Sequence, residues 1–452
     1  MTTIDRSRIK MLTGREESRY VAERPKSRAL FERAKTSLLG GVPMNWMMEW
    51  VGSFPIFVNE GNGAYLTDVD DHRYLDLCMG DTGAMFGHSP RATVEAVMRQ
   101  VQRGLTFFLP TEDAIWVAEE LTRRFGLPYW QFYMTATDAN RFAIRVARQV
   151  TGRNLVLVFD RCYHGNLDET LVSLKDGKVC HWMDRDREER VVGLLPNPAS
   201  TTRVIQFNDL DALEKALSPQ DIACVVCEPA MTNAGIIYLD TGYHEALREM
   251  TQRFGTLLVI DETHTICAGP GGLTQAWELK PDIVTLGKPI AGGLPAACMG
   301  LSREITEKLL VRDHLGEGIG GTLSGNALAL ATMKATLENI ITEPTYRRTI
   351  PIAEQLADGI DKAIKAADLP WYLNRLGCRV EYGFCPTPPK NGAEARAAFD
   401  VELDNLLHLF LINRGILLTP FHSVELASPE ITDEDVDFHN RVFSEFVNEL
   451  VG

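Results

Sequence analysis

The sequence predicts an α/β protein in which a mostly parallel, seven-stranded sheet flanked by helices forms a large domain. Short apolar runs alternate with helix-like segments from about residue 110 onward, which is typical of parallel sheets. The chain has 452 residues, 45% of them hydrophobic, enough to bury one large core and a smaller one. Beyond about residue 370 the elements shorten and a Pro-rich turn, 386-PTPPKNG-392, occurs. We therefore expect an N-terminal segment at 1–75, the large domain at 76–335 and a C-terminal domain at 336–452, the first and last forming a smaller α+β domain.

Seven apolar runs are the predicted strands of the sheet. They are Trp130–Met134, Leu155–Phe159, Val204–Phe207, Ala223–Cys227, Leu257–Ile260, Ile283–Leu286 and Ala297–Leu301. Segments such as 209-DLDALEKAL-217 and 243-YHEALREMTQRFG-255 lie between them and predict the covering helices. Ligands of such sheets bind beyond the carboxyl ends of the strands, so polar residues that follow these runs are candidate site residues.

Composition argues against several classes of protein. The net charge of -15 is unfavourable for a nucleic-acid binder. No run of about 18 apolar residues occurs, so we expect no membrane span, and the polar N-terminus, MTTIDRSRIK, indicates a cytoplasmic location. An odd number of cysteines, nine, argues against a disulfide framework. Cys224 and Cys227 lie on a predicted strand and point to opposite faces, so they are expected to be buried apolar residues.

Lys288 lies in 281-PDIVTLGKPIAGGLPAA-297, directly after an apolar strand and before two glycines that let other backbone approach. A free lysine amine is almost fully protonated at neutral pH, but burial near a cation makes it nucleophilic and able to form a Schiff base with an aldehyde. The alternative is a surface lysine that closes the strand.

Asp261 directly follows four apolar residues in 257-LLVIDETHT-265, so its carboxylate is expected at the carboxyl end of a strand. A buried carboxylate needs a partner, and a pyridinium nitrogen is one candidate. A helix N-cap and a metal ligand are the alternatives, and we expect no metal site.

Two further stretches follow strands in the same way. The segment 135-TATDANRFAIRVARQV-150 has a helical apolar stripe, and small residues at its start leave backbone N–H groups open to a phosphate. A simple N-cap by Thr135 or Thr137 explains that stretch equally well. In 162-CYHGN-166, Tyr163 could stack on a heteroaromatic ring or simply pack near a turn.

Together, and in this order, these motifs resemble the class III (fold type I) aminotransferases that use pyridoxal 5'-phosphate, from roughly residue 30 to the C-terminus. The resemblance is greatest to glutamate-1-semialdehyde aminomutase and to β-amino-acid and amine transaminases. The family's Asp-Glu-Val appears as 261-DET-263, and its Schiff-base lysine follows 27 residues later, at Lys288. The resemblance implies that Lys288 and Asp261 are the catalytic pair.

The same resemblance implies further cofactor-binding residues. The family's phosphate loop, Ser-Gly-Thr-Glu-Ala, corresponds to Thr135, Ala136 and Thr137 with the two residues after them. Its Tyr-His-Gly corresponds to Tyr163, the ring-stacking residue, and His164. Its Val-x-Glu-Pro places Glu228 near the cofactor. In 321-GTLSGN-326, Thr322 would reach the phosphate of a partner subunit, which implies an obligate homodimer.

Two departures from the family pattern change these expectations. Ala136 stands where the family has Gly and cannot adopt positive φ as cheaply, so the phosphate loop is expected to sit slightly differently. Thr263 replaces a Val that packs on the ring, and its hydroxyl could form a hydrogen bond there.

The substrate is indicated only by the segment 40-GGVPMNWMMEWVGSFP-55. No arginine occurs from Ala34 to His72, although arginine is the usual partner of a substrate carboxylate. Met44, Trp46, Met48 and Trp50, with His422 from a C-terminal loop, are the candidate lining of an apolar pocket. Packing at a dimer interface is the alternative for the apolar residues.

We therefore expect a transaminase with ping-pong kinetics that moves an amino group from a hydrophobic amine or amino acid to a keto acid or ketone, with an amine (omega) transaminase first. One alternative is an isomerase that uses the same cofactor, either an aminomutase or an amino-acid racemase. Another is a non-catalytic binding protein with this fold. A nicotinamide-dependent dehydrogenase is excluded because no G-x-G-x-x-G follows an early strand.

Overall fold

The computed structural model describes residues 4–185, 197–311, 318–420 and 422–452. The helices in chain order are α1 (Arg6–Glu23), α2 (Pro25–Ala34), α3 (Arg91–Val101), α4 (Glu112–Phe125), α5 (Ala136–Thr151), α6 (Leu210–Leu217), α7 (Tyr243–Arg253), α8 (Gly272–Ala276), α9 (Arg303–Val311), α10 (Ala327–Asn339), α11 (Glu343–Ala366), α12 (Gly392–Ala398), α13 (Val401–Ile412) and α14 (Asp433–Val451).

The strands in chain order are β1 (Val58–Asn62), β2 (Tyr65–Asp68), β3 (Arg73–Asp76), β4 (Tyr129–Tyr133), β5 (Leu155–Phe159), β6 (Val172–Lys175), β7 (Lys178–His181), β8 (Thr202–Ile205), β9 (Ile222–Cys227), β10 (Leu257–Asp261), β11 (Ile283–Leu286), β12 (Ala297–Leu301), β13 (Tyr372–Leu376), β14 (Arg379–Gly383), β15 (Ile416–Leu417) and β16 (Val424–Leu426).

The chain divides into two compact units. The first comprises Met1–Pro90, Pro344–Pro388 and Ala398–Gly452, and the second comprises Arg91–Glu343 and Pro389–Ala397. The domain boundaries expected from the sequence, near residues 75 and 335, remain a prediction.

The second unit contains a seven-stranded sheet in the order β4-β12-β11-β10-β9-β5-β8. All pairs are parallel except those of β12, which runs antiparallel to both β11 and β4. The seven apolar runs singled out in the sequence are these strands, with ends shifted by at most two residues. The continuous apolar character arises because helices cover both faces, so every residue of β9 is buried. The predicted fold class is confirmed.

Helix α5 packs against β9, β11 and β12 and begins just after β4. Its apolar stripe, which includes Ala139, Phe142, Val146 and Ala147, is buried as the helical periodicity predicts. This packing fixes the N-terminus of α5 at the end of the sheet where the parallel strands finish.

The first unit joins the two ends of the chain, as predicted. Strand β15 pairs with β3 in a four-stranded sheet, and β13, β14 and β16 form a three-stranded antiparallel sheet. The buried guanidinium of Arg24 donates to Asn413 Oδ1 at 2.9 Å, which links α2's start to the end of α13. An apolar cluster that includes Tyr20, Phe31 and Leu409 lies beneath these elements.

The cysteines, all of them in the described residues, are free. Cys224 and Cys227 are buried on β9, and burial raises the pKa of the Cys224 thiol to about 12. These thiols therefore behave as apolar core residues. Across the described ranges, no helix is long and apolar enough to cross a membrane.

Candidate active site

Five strand ends in the second unit carry the candidate residues. Strands β4, β5, β9, β10 and β11 all finish at one edge of the sheet, because β4 is antiparallel to β12 and β12 is antiparallel to β11. Thr135, Tyr163, Glu228, Asp261 and Lys288 lie at or just beyond these ends. The carboxyl edge of a parallel sheet is where such folds bind ligands.

Asp261 is buried at the end of β10 and accepts three hydrogen bonds. Oδ2 accepts from Asn140 Nδ2 at 2.8 Å and from His164 Nδ1 at 2.9 Å, and Oδ1 accepts from the Thr263 amide at 3.0 Å. Burial alone would raise the pKa of Asp261, but the hydrogen bond and charge of His164 outweigh it and lower the pKa to about 2. The fold therefore holds a carboxylate that is charged at neutral pH at the end of this strand.

His164 is the cationic partner of this carboxylate. Burial disfavours the imidazolium, but interactions with Cys162 and Asp261 outweigh burial and raise the pKa of His164. The predicted Tyr-His-Gly motif therefore has a second member that contacts Asp261. Tyr163 is half-buried beside it, with its hydroxyl 3.5 Å from Asn166 Oδ1.

Asn140 ties the site together and was missed by the sequence analysis. Besides Asp261, its amide donates to the carbonyl oxygen of His164 at 3.1 Å, and its Oδ1 accepts from Thr285 Oγ1 at 2.6 Å. The residue is buried on α5, where the helical stripe is otherwise apolar. A polar residue at a core-facing position was the available signal.

Lys288 begins a short 3-10 turn, Lys288–Ala291, directly after β11. Its φ of +50° is unusual for a residue with a side chain, and such strain concentrates at functional sites. The Nζ atom lies 2.7 Å from Nε2 of the buried His264, another residue that the sequence analysis did not single out.

Gly287 lets the chain pass close to the start of α5. A Cβ at this position would lie 2.9 Å from the Ala136 Cβ and 3.2 Å from the Ala136 amide nitrogen. The strand end that carries Lys288 is therefore held against the helix N-terminus. Ala136 is the first residue of α5 and does not have a positive φ. The alanine therefore causes no backbone strain where the family has glycine.

The N-terminus of α5 is shaped by the loop that follows β5. Thr135 caps the helix, its Oγ1 accepting from the Asp138 amide at 3.1 Å, and Thr137 Oγ1 accepts from the Asn166 amide at 3.2 Å. Gly165 has φ of +92°, and a Cβ there would lie 2.8 Å from the Cα of Thr137. Only glycine allows this loop to close on the helix N-terminus, whose dipole favours a bound anion.

The other predicted cofactor residues occupy different surroundings. Glu228 is buried, and burial raises its pKa even though Thr232 donates to it from its amide at 3.0 Å and its hydroxyl at 2.5 Å. Thr263 is buried beside Asp261, to which its backbone amide donates. Thr322 is exposed in the turn before α10.

The candidate substrate residues lie in the first unit. Met44 and Met48 are exposed, and Trp50 packs against the apolar cluster of that unit. His422 is buried with Nδ1 2.9 Å from Glu381 Oε1. The assignment of these residues and of Trp46 to a substrate pocket remains a prediction.

Arg414, the nearest arginine before the C-terminal loop, is occupied within the first unit. Its guanidinium donates to Glu16 at 3.1 Å, to Glu445 at 3.2 Å and to the carbonyl oxygen of Phe410 at 3.0 Å. These contacts indicate a structural role, as expected for an arginine near a helix end.

The residues around Lys288 fit one class of cofactor. An amine, a charged buried carboxylate, a helix N-terminus and a buried hydroxyl lie at one edge of the sheet. These are the groups needed for the aldehyde, the ring nitrogen, the phosphate and a polar ring substituent of pyridoxal phosphate. The fold and these residues define a pyridoxal-phosphate enzyme of fold type I.

Comparison with known proteins identifies the family. The model of the class-III aminotransferases matches residues 46–434, so the chain belongs to that family, whose cofactor is pyridoxal phosphate.

Three similar proteins have known structures or curated functions. A lysine-to-alanine variant of a glutamate-1-semialdehyde aminomutase from Pseudomonas aeruginosa PAO1, solved in complex with PMP, is 44% identical, with a TM-score of 0.94 and 99% coverage of both chains. The glutamate-1-semialdehyde 2,1-aminomutase of Myxococcus xanthus is 34% identical over 424 residues, covering 90% of this chain and 95% of that protein. An omega-transaminase from Sphaerobacter thermophilus is 27% identical, with a TM-score of 0.85 and coverage of 94% and 98%.

Proposed function

We propose that the protein is a pyridoxal-phosphate-dependent isomerase of the aminomutase type, which moves an amino group between neighbouring carbons of one substrate. The main support for this proposal is similarity to glutamate-1-semialdehyde aminomutases, in sequence and in fold, over nearly the whole chain. The motifs and the arginine-free segment alone favoured an amine transaminase, whereas the similarity to aminomutases favours the isomerase alternative. Glutamate-1-semialdehyde is the substrate to test first.

The residues of the second unit have separate tasks in this proposal. Bound pyridoxal phosphate supplies an electron sink for the carbon that carries the amino group. Asp261 keeps a negative charge beside the ring nitrogen, so that this nitrogen stays protonated. The N-terminus of α5, with Thr135, Ala136 and Thr137, would bind the phosphate, and Tyr163 would stack on the ring.

Lys288 has two tasks. Its amine would be the group that holds the cofactor at its aldehyde, and it would become free when a substrate amine binds there instead. The free amine would then take the proton from the carbon that bears the amino group, hold it on Nζ as an ammonium, and give it back to the bound substrate when the amino group has moved. In an aminomutase the nitrogen returns to the neighbouring carbon, so no second carbonyl substrate is needed.

A second candidate is a transaminase for hydrophobic amines. It is favoured by the absence of arginine between Ala34 and His72 and by the Met- and Trp-rich segment there. This segment therefore offers no arginine to bind a substrate carboxylate, which favours an amine without a carboxylate as substrate.

We also propose a homodimer in which Thr322 reaches the site of the partner subunit. Thr322 and Leu323 are exposed, and the nearby apolar side chains of Phe108 and Leu109 are 82% and 73% exposed. The amide of Leu328 donates to the carbonyl oxygen of Leu105 at 3.3 Å, which ties this apolar segment to the start of α10. A second copy would cover these side chains, and light scattering of the holoenzyme tests for it.

The experiment that separates the two candidates supplies one substrate at a time. Purified holoenzyme is given glutamate-1-semialdehyde with no keto acid, and formation of the isomer with its amino group moved from carbon 2 to carbon 1 is followed. We expect catalytic turnover without an acceptor. Turnover of an arylalkyl amine that depends strictly on an added keto acid, with no isomerisation, would establish the transaminase instead.

A further inference from the structure

His264 is the histidine that contacts Lys288. It follows β10, three positions after Asp261, and is buried, whereas Lys288 lies after β11 and is half-buried. Their side chains meet with Nζ and Nε2 2.7 Å apart. Because β10 and β11 are neighbouring parallel strands, the sheet itself brings the two residues together.

The chemistry of the two groups fixes the direction of this hydrogen bond when Lys288 is protonated. An ammonium group has only donors, so Nε2 must accept. The imidazole is then neutral, with its proton on Nδ1, because a second cation at this distance would be strongly repelled. A neutral amine can also donate one N–H to Nε2 and still has a lone pair to offer.

We propose that His264 is the positioning residue of Lys288. By accepting one N–H, Nε2 restricts rotation about the Cε–Nζ bond, so the lone pair or the transferable proton points away from His264. The same bond stabilises the ammonium that forms when Lys288 takes a proton. This inference depends on the proposed function only in assigning the substrate proton to Lys288.

The proton transfer balances without a further reagent. The C–H bond of the substrate carbon breaks, its electron pair stays on the substrate, and a new N–H bond forms on Nζ. Asp261 does not take this proton, because the hydrogen bond and charge of His164 lower the pKa of Asp261 to about 2, which makes it a far weaker base than an amine. The accepted charge therefore stays on Lys288, against Nε2 of His264.

Two variants of similar length separate hydrogen bonding from packing. His264→Gln retains a strong acceptor, whereas His264→Met fills similar space with only a weak one. In apoprotein, lysines are acetylated with acetic anhydride at neutral pH, and the rate of acetylation of each lysine is measured by mass spectrometry. Each rate is divided by the rate of the same lysine above about pH 10.4, where a lysine amine is mostly unprotonated. Lys334 and Lys390, which pair with Asp113 and Asp240, are the internal references.

We expect Lys288 to be labelled about tenfold faster in His264→Met than in the wild type, since the hydrogen bond to Nε2 that restrains the amine is lost. His264→Gln should label at nearly the wild-type rate. Equal labelling of Lys288 in wild type and His264→Met would overturn the proposal.

The holoenzyme supplies the second readout. Exchange of the proton on the amine-bearing carbon with deuterium oxide should slow about tenfold in His264→Met and less than about threefold in His264→Gln. Equal losses in both variants would indicate packing alone and would also overturn the proposal. If labelling and exchange behave as expected but the wild type does not isomerise glutamate-1-semialdehyde, the role of His264 stands and the aminomutase assignment falls.

Discussion

The surroundings of Asp261 and of Glu262 differ sharply, although the two residues are neighbours in sequence and both are fully buried. Asp261 faces a cationic histidine, and its pKa falls to about 2. Glu262 accepts from neutral donors, the Thr265 hydroxyl at 2.5 Å and the amides of Leu273 and Thr274, and burial raises its pKa in spite of them. The imidazole partner, rather than the number of hydrogen bonds, is what keeps one buried carboxylate charged.

This difference separates a functional charge from a structural one. Asp261 has a charge directed at the edge of the sheet where Lys288 lies, and the fold provides His164, Asn140 and Thr263 to hold it there. Glu262 instead receives the first amides of α8, which fastens that short helix to the end of β10. Exchanging each carboxylate for its amide should therefore have different consequences, a loss of turnover at Asp261 and a loss of stability at Glu262.

Asp261→Asn should lower kcat more than any other substitution described below. The side chain keeps its shape but loses the charge that holds the ring nitrogen protonated, so kcat should fall about 10²- to 10³-fold. Steady-state kinetics of the holoenzyme measure this. The matched change, Glu262→Gln, should leave kcat within about threefold while destabilising the fold by about 1–3 kcal/mol, seen as a lower thermal midpoint. Comparable losses of kcat in both variants would contradict the distinction.

The pH dependence of stability should differ in sign for the same two residues. The pKa of Asp261 is lower in the fold than the unfolded value of 3.8, so its contribution, roughly 2 kcal/mol, is present above about pH 4 and is lost as pH falls towards 2. The pKa of Glu262 is raised above 4.5, so its contribution weakens as pH rises through that value. The urea midpoint should be measured across this pH range. In Asp261→Asn the loss of stability towards pH 2 should be smaller than in the wild type, and in Glu262→Gln the loss of stability above about pH 4.5 should be smaller.

Gly165→Ala should weaken cofactor binding next most strongly, by about tenfold or more. The added Cβ would press on Thr137 in a backbone conformation that favours glycine, and would displace the loop from the start of α5. Titration of apoprotein with pyridoxal phosphate, followed by absorbance, measures the affinity. The control is Gly152→Ala at the other end of α5, where an added Cβ would meet no described atom within 4 Å. This change should lower stability only.

His164→Gln should reduce kcat by about tenfold, because it removes the cation that lowers the pKa of Asp261 but retains a hydrogen-bond donor. The control is His439→Gln in the first unit, where His439 lies 3.0 Å from the buried Glu425. That change should affect stability and leave kcat unaltered. An unaltered kcat in His164→Gln would show that the pKa of Asp261 does not depend on this partner.

The smallest effect is expected for Arg414→Gln. Its guanidinium is bound by Glu16, Glu445 and a backbone carbonyl, so KM for the substrate should not change. A large rise in KM with unchanged kcat would instead identify Arg414 as a substrate carboxylate partner.

The sequence predicted those features that depend on neighbours in the chain. Asp261 and Lys288 were found because each follows a short, mostly apolar run, and inner strands such as β9 were found because burial on both faces leaves them continuously apolar. Asn140 and His264 were missed because their partners lie far away in the chain. Asn140 meets Asp261 and Thr285, more than 100 residues later, and only the folded sheet brings them together.

The most direct test of the account is to trap the cofactor on its lysine. Holoenzyme is reduced with borohydride, digested and mapped by mass spectrometry. We predict that pyridoxal phosphate is found on the peptide that contains Lys288 and on no other. Attachment at a different lysine, or no attachment, would contradict the assignment of this strand end as the active site.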